Sequence, residues 1–216
     1  MRGVEGVGQV MASYTADLTL QRGGLQLVAR VMSLSEDAAG QLNAPVLVEG
    51  RLPEAADECL AAAEQHNGEP FPIGSEVTFD EQTGDTQTGS VLERRTFRVV
   101  GTIRLPQYIS YSLGSSTVGS GTVDTYVMIP EENFLYPRYT ELYVLLDCHE
   151  NGISAFDADY DAALEDVKDR LEELGATRYA AFLEDSERQL RDGETALSEA
   201  RADAERQLQE AGDQLT

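Results

Sequence analysis

Four residues in the chain could ligate a transition metal: Cys59, Cys148, His66 and His149. Zinc takes thiolate and imidazole ligands in a tetrahedral arrangement. Cys148 and His149 are adjacent, which is awkward for shared ligation from a strand, and His66 lies in a polar loop. The H-E-x-x-H pattern that starts at His149 has Ile153 where the second histidine is needed. We therefore expect surface histidines and small buried thiols, with no metal.

Alternating acids at Asp157, Asp159 and Asp161 have the spacing that opens a calcium-binding loop. That loop needs a glycine where this chain has Ala162 and a bidentate glutamate where it has Lys168. Acids are also favoured in the first turn of a helix, because they interact with the helix dipole. The pattern indicates a helix start and no cation.

Catalytic patterns are incomplete throughout the sequence. Lys168 is the only lysine, so the glycine- and serine-rich segment 114–121 lacks the lysine of a phosphate-binding loop and indicates a flexible or tightly turning loop. With two histidines, a serine–histidine triad is improbable. Glu54, Asp57 and Glu58 form an acidic cluster after a proline, for which a surface turn is the expected interpretation. We predict no catalytic residue and no cofactor.

Composition restricts the partners of the chain. The net charge is −23 and 41% of residues are apolar, which predicts a folded core under an acidic surface. Such a surface repels phosphate backbones, so we expect no nucleic-acid partner. Cys59 and Cys148 permit one disulfide, but both could equally be buried thiols, and their spacing does not decide between these alternatives.

The first two thirds of the sequence is typical of β structure. Two β-rich runs, Val7 to Leu20 and Leu25 to Leu34, flank Gly23-Gly24 and predict a hairpin. All seven prolines fall between about 43 and 137, with short β-type runs between them, which predicts a small barrel or sandwich. These runs cover 46–48, 76–79, 96–103 and 122–129. Residues 80–90 are expected to form a polar loop, and 141–147 a buried strand.

Helical periodicity replaces this pattern near residue 154. Ser154 to Asp157 resembles a capping box, an apolar stripe from Tyr160 to Leu174 predicts a helix, and Gly175 is a plausible stop. From Arg178 onward small apolar residues recur every three or four positions among charged residues, the pattern of a coiled coil that needs a partner helix. They are Leu183, Ser186, Leu190, Gly193, Leu197, Ala200, Ala204, Leu208, Ala211 and Leu215.

Targeting and anchoring signals are not visible in the sequence. No apolar run reaches the roughly 18 residues of a membrane span, and no signal peptide opens the chain. The sequence begins mid-pattern and ends within a helical repeat, so we expect a domain excised from a longer membrane protein.

Several segments in order resemble one family. They are Gly3-Val4-Glu5-Gly6-Val7, Pro45 to Pro53, Glu58-Cys59, Ile73 to Val77, Phe97 to Ile103, Pro106 to Ser110, Gly119-Ser120-Gly121, Tyr139 to Val144 and the helix start at Asp159-Tyr160-Asp161. In this order the chain resembles the extracytoplasmic core domain of FtsX-like, MacB-type ABC transporter permeases. The similarity is greatest to the large-ectodomain type of Gram-positive bacteria, which carries a coiled-coil insertion.

The resemblance implies an α+β fold with three parts. Residues 1–44 and 138–180 would form a porter-like α/β sandwich, 45–137 an inserted β-rich subdomain, and 181–216 the start of a truncated coiled-coil helix. It implies no catalytic residue, and structural roles for Gly50, Gly74 and Gly101 as turn or strand-end glycines and for Pro53 and Pro106 as rigid corners.

The resemblance also implies a location and partners. The domain would lie on the extracytoplasmic face of the cell membrane and couple ATP hydrolysis to export or to an outside partner. The expected partners are a cytoplasmic ABC ATPase, reached through a transmembrane part, a second permease copy, and an extracellular peptide, lipid or cell-wall enzyme. A cell-surface binding or adhesion module with a coiled-coil stalk is the main alternative, and a hydrolase with an unrecognised site is the third.

Overall fold

The computed structural model describes residues 3–38, 40, 42–64, 69–80, 90–109, 112–149, 153–154 and 156–213. The predicted polar loop falls largely on 81–89, outside the described residues. Contacts divide the chain into two compact units, Gly8–Leu145 and Gly3–Val7 with Leu146–Thr216. The first unit is built almost entirely of strands and the second contains one long helix, so the predicted α+β class is confirmed.

The predicted hairpin is confirmed. Strands β2 (Thr15–Arg22) and β3 (Leu25–Leu34) pair antiparallel, and Arg22 lies opposite Leu25. The two turn residues, Gly23 and Gly24, have positive φ angles of 57° and 81°, as a tight hairpin turn with the twist of its strands requires.

The run predicted as one strand from Val7 to Leu20 is broken at Tyr14. Its first part, β1 (Val7–Ser13), pairs instead with β9 (Glu141–Leu146) in a separate two-stranded sheet. The break places the Tyr14 ring on Phe134, with ring centroids 5.3 Å apart. Stacking of a large aromatic ring stabilises this bend in the chain.

The main sheet has seven strands. The remaining strands are β4 (Val46–Gly50), β5 (Glu58–Ala62), β6 (Glu76–Thr78), β7 (Thr96–Arg104) and β8 (Thr125–Pro130). Their order is β2-β3-β8-β5-β7-β4, and β6 also pairs with β7. A bridge between Leu20 and Phe79 joins the end of β6 to β2, so the sheet curls into an incomplete barrel. Of the predicted barrel or sandwich for the block from about 43 to 137, the structure has the barrel type, and it also includes the hairpin strands β2 and β3.

The barrel takes strands from both sides of the boundary at 44/45 that the resemblance implies. Strands β2 and β3 come from the predicted porter part, whereas β4 to β8 come from the predicted insertion. The domain boundaries stay a prediction.

Apolar side chains pack on both faces of the main sheet. The inner cluster includes Leu20, Val31, Phe79, Phe97, Val99, Val127 and Ile129. The outer cluster includes Met32, Leu60, Ile103, Leu105, Tyr126 and Met128. Gly50 and Gly101 allow β4 and β7 to approach closely, because a Cβ at Gly50 would lie 2.3 Å from the Val100 carbonyl oxygen.

Helix α1 (Ala158–Asp213) has 56 residues. The Asp157 carboxylate accepts a hydrogen bond from the Ser154 amide at 2.8 Å, which is one half of the expected capping box. The predicted stop at Gly175 is wrong: the helix passes through it without a break. One glycine inside a helix costs only about 1 kcal/mol, and ending a helix also requires a left-handed backbone there.

The hydropathy of the helix is low along its described length. No helix in that part of the chain is both long and apolar enough to span a bilayer.

Candidate binding groove and its buried ionic support

The side chains of both cysteines are buried. Cys59 lies in β5 within the inner cluster, and burial raises its pKa to about 12. Cys148 packs with Leu146 and Val167 in the helical unit. Their pairing stays a prediction. Within the described ranges, no three His, Cys, Asp or Glu side chains converge as a metal site would require, and His66 and the His149 side chain lie outside them.

The acids of the calcium-like pattern lie at the start of α1. Asp157 caps the turn that precedes the helix, and Asp159 and Asp161 lie in its first turn. Their carboxylates face the positive end of the helix dipole, which is the arrangement expected of a helix start.

The glycine-rich segment 114–121 forms a tight turn. The Ser116 amide donates to the Gly121 carbonyl at 3.0 Å, and the Val123 amide donates to the Gly114 carbonyl at 3.1 Å. The Arg30 guanidinium donates to the Ser115 carbonyl at 3.1 Å and also pairs with Asp17. The segment is thus anchored to the hairpin, and the tight-turn interpretation is confirmed.

Glu58 is the residue that sequence reasoning misplaced. The acidic cluster was expected to be a surface turn, but the Glu58 side chain is only 2% exposed at the first position of central strand β5. The register of β5 with β7 sets Glu58 opposite Arg98, and Arg51 lies beside it on the chain leaving β4. The burial follows from a strand that was not predicted.

Both oxygens of Glu58 are fully engaged. Arg51 donates to Oε2 through Nη1 and to Oε1 through Nη2, each at 2.6 Å. Arg98 Nη2 donates to Oε1 at 2.7 Å, and the Glu54 amide donates to Oε2 at 2.9 Å. Hydrogen bonds from Arg51 and from the Glu54 amide lower the pKa of Glu58 to about 2. Buried carboxylates are tolerated where charged donors satisfy them in this way.

Glu58, Arg51 and Arg98 together form an ionic node, which fixes the position of the neighbouring chain segment. Because Glu58 holds both the Arg51 side chain and the Glu54 amide, residues 52–56 are drawn against the barrel. They form one wall of a groove with a volume of about 740 Å³. Its lining residues are Tyr14, Leu34, Ser35, Glu36, Ala38, 52–56, 130–132 and Phe134.

The opposite wall is tied to the first by one buried amide. Asn133 is fully buried, and its Nδ2 donates to the Ala56 carbonyl at 2.9 Å and to the Pro130 carbonyl at 3.2 Å. Tyr14 and Phe134 stack at the same place. The groove is therefore a built feature whose two walls share hydrogen bonds.

The lining residues combine carboxylates with apolar surface. Glu36, Glu54, Glu131 and Glu132 carry the charges among them, Ser35 adds a hydroxyl group, and the other contributions are aromatic, aliphatic and proline surfaces. Apolar walls with a few carboxylates match a ligand that is partly apolar and positively charged.

Comparison with known proteins gives structural neighbours only. No family model and no curated protein matches the sequence. One similar solved structure is the extracellular domain of the noncanonical ABC-type transporter YknZ from Gram-positive bacteria, with 15% identity, 68% of each chain covered and a TM-score of 0.40. Another is the periplasmic region of MacB from Actinobacillus actinomycetemcomitans, with 14% identity, coverage of 80% of this chain and 69% of that one, and a TM-score of 0.42.

Proposed function

We propose that the chain is the extracytoplasmic domain of an ABC transporter permease of the MacB type and acts as a non-catalytic mechanical relay. One observation carries the proposal: residues Gly3–Val7 pack against the base of the long helix. In a permease this segment would leave the membrane, so a displacement of the membrane part would reach the helix directly.

The contact between this segment and α1 is close and polar on one side. A Cβ at Gly6 would lie 2.5 Å from Val167 Cγ2, so the backbone of the segment touches the helix where only glycine fits. Arg170 donates to the Glu5 carbonyl at 3.0 Å and pairs with the Glu5 carboxylate at 3.3 Å. The Asp147 amide donates to the Gly6 carbonyl at 3.0 Å. The chain entering α1 is thus bonded to the same segment.

The helix has the properties of a stiff lever. Its 56 residues correspond to about 84 Å at 1.5 Å per residue. Beyond the base its large apolar side chains are exposed, including Leu183, Leu190 and Leu197 at seven-residue intervals. This spacing is the seam of a coiled coil, so a partner helix would complete and stiffen the lever.

The proposal includes partners that follow from this role. A cytoplasmic ATPase would supply the displacement through transmembrane helices. A second permease copy would form the other half of a dimeric transporter. The outside partner would be a peptide, a lipid or a cell-wall enzyme. The groove offers a place for a small ligand of the relay, and the helix seam offers one for a protein.

The test uses the full reading frame, co-expressed with its ATPase and reconstituted in liposomes. Spin labels at Gln26→Cys and Arg188→Cys, in a background with Cys59 and Cys148 replaced by alanine, report the distance between the barrel and the helix. We expect the distance distribution to shift between the nucleotide-free and vanadate-trapped states. An unchanged distribution with active ATP hydrolysis refutes the relay.

A matched pair of variants tests the joint itself. Gly6→Val places side-chain atoms against Val167, whereas Gly3→Val also introduces a side chain at a positive φ but has no atom within 4 Å of its Cβ. We expect Gly6→Val to keep ATP hydrolysis and lose the distance shift, and Gly3→Val to keep both. Equal behaviour of the two variants would show that the contact transmits nothing.

A cell-surface binding module is the second candidate, and the groove is the observation that favours it. Mapping the hydrophobic spans encoded on both sides of this sequence separates the two. Several spans support the permease, whereas a single anchor supports the binding module.

A further inference from the structure

The main sheet ends in two strands, and they differ in how their outer edges are covered. The edge of β2 is bonded at two places: the Thr15 amide at its start donates to Thr140 Oγ1 at 2.6 Å, and the Asp80 amide donates to the Thr19 carbonyl at 2.7 Å. The bridge between Leu20 and Phe79 lies next to the second bond. Strand β2 therefore offers little free backbone to another chain.

Strand β4, at the other end, is open. All five of its residues are exposed, and β7 is the single strand that pairs with it in the described part of the chain. Three apolar residues follow one another along it: Val46 is 57% exposed, Leu47 41% and Val48 49%. Proteins normally protect such an edge with lysines, prolines, bulges or a covering element, since unpaired backbone groups attract another strand. Strand β4 contains no lysine or proline, and its one irregularity is a register shift between Leu47 and Glu49.

Exposed apolar side chains beside β4 add to its apolar surface. Leu47 lies over Gly101, where a Cβ would be 3.0 Å from its Cδ1, and Ile73 lies over Gly50 in the same way at 2.9 Å. Leu52 and Ile73 are themselves exposed. A strand added to β4 would cover both its backbone edge and these side chains.

The charges around this edge determine which strand it would take. Arg51 and Arg98 share the single carboxylate of Glu58, and Arg104 is paired with Glu64, so these five residues together leave one positive charge. In contrast, Glu49 in β4 and Glu76 in β6 make no ion pair among the residues that the structure describes. Both β4 and β6 pair with the same side of β7, with Glu49 opposite Thr102 and Glu76 opposite Arg98. These two carboxylates make this side of the sheet acidic, since three arginines then meet four glutamates, 3 − 4 = −1.

We propose that β4 is a docking site for an extended, basic segment of a partner polypeptide, which adds to the sheet as a further strand. Main-chain hydrogen bonds to β4 would hold the segment, alternate apolar residues would cover Leu47 and its neighbours, and basic residues would meet Glu49 and Glu76. A second copy of this chain is a poorer occupant, because each copy carries a net charge of −23 and would bring its own Glu49 to the same edge. This site is independent of the relay proposed above.

The experiment measures binding of a fluorescent peptide, Arg-Val-Arg-Val-Thr-Val-Arg, to the whole chain by anisotropy. A second peptide has the same side chains but is N-methylated at alternate residues, which removes the donors of one edge, and a third has glutamate for arginine. The protein variants are Leu47→Arg at the edge and Leu25→Arg, a more exposed leucine beside the hairpin turn. Circular dichroism checks folding, and Val46→Lys replaces Leu47→Arg if the latter does not fold.

We expect the N-methylated and glutamate peptides, and the Leu47→Arg variant, each to weaken binding at least about tenfold. The Leu25→Arg variant should bind within about twofold of the unsubstituted chain. Equal binding of the N-methylated peptide, no binding of the first peptide, or equal loss in both variants would overturn strand addition. Self-association of the chain that Leu47→Arg abolishes in sedimentation velocity would overturn the basic partner and assign the edge to a second copy.

Discussion

Replacing Glu58 by glutamine tests the ionic node beneath the groove wall. The glutamine keeps the shape of the side chain but loses the charge, and its NH₂ group would face donors of Arg51 or the Glu54 amide. One of the two oxygens can no longer accept. Hydrogen bonds to charged groups contribute about 1.5–3 kcal/mol each. Replacing Oε2, which accepts from both Arg51 and the Glu54 amide, should therefore lower the stability of the fold strongly.

Solvent reduces this cost. Arg51 and Arg98 are about half exposed, so water can solvate the guanidinium groups that the substitution leaves behind. We therefore expect Glu58→Gln to lower the free energy of unfolding by about 2–3 kcal/mol at pH 7, which is a fall in Tm of about 5–10 °C for a domain of this size. Urea and thermal unfolding followed by near-ultraviolet circular dichroism measure both.

The pH dependence follows from the lowered pKa. The pKa of Glu58 falls from 4.5 to about 2 on folding, so the stabilisation is fully present above pH 4.5 and is lost as the pH falls toward 2. The difference between the original chain and Glu58→Gln should accordingly shrink over that range. Glu64→Gln is the control, because its pair with Arg104 is 75% exposed on the glutamate side and should contribute less than about 1 kcal/mol. A Glu58→Gln effect no larger than the control, or one that stays constant down to pH 2, would refute the reasoning.

Two further outcomes are expected. In the native chain neither cysteine should react with a thiol reagent at pH 8, because both are buried and the pKa of Cys59 is raised to about 12. The same reagent is then applied to the chain unfolded in urea. Two reactive thiols there would show that Cys59 and Cys148 are unpaired, and no reactive thiol would establish the disulfide. Gly175→Ala and Gly193→Ala should each stabilise α1 by about 0.5–1 kcal/mol in thermal melts followed at 222 nm, because a Cβ at either position meets no atom within 4 Å. Gly50→Ala should instead destabilise the barrel, since its φ is 83° and the new Cβ would meet the Val100 carbonyl; stabilisation there would contradict the structure.

Local signals in the sequence were sufficient for the hairpin and the helix start. Gly23-Gly24 sets the turn through backbone conformations that other residues rarely adopt, and Ser154 with Asp157 sets the cap through a short-range hydrogen bond. Both depend on neighbours within a few positions. The same local reasoning failed at Gly175, because a helix ends only where the whole surrounding segment favours ending.

The candidate site could not be predicted because it depends on strand β5. Its sequence, Glu-Cys-Leu-Ala-Ala, has no β-branched residue and no polar alternation, although its continuous apolar run is the signal of a strand buried on both faces. Without β5, nothing in the sequence sets Glu58 opposite Arg98, which lies 40 residues away, and the buried node cannot be inferred. The groove was missed for the same reason, since Glu58 holds its wall.

One segment connects the two candidate surfaces of the barrel. Strand β4 presents the open edge, residues 52–56 form the groove wall, and Arg51 lies between them with its side chain on Glu58 and its amide on the Val100 carbonyl at 3.1 Å. Loss of the Glu58 charge should therefore disturb both surfaces together. Amide hydrogen exchange in Glu58→Gln is expected to rise in β4 and in 52–56 while the β2–β3 hairpin, which the node does not touch, keeps its protection. Faster exchange limited to the groove wall would mean that β4 is positioned by its pairing with β7 alone.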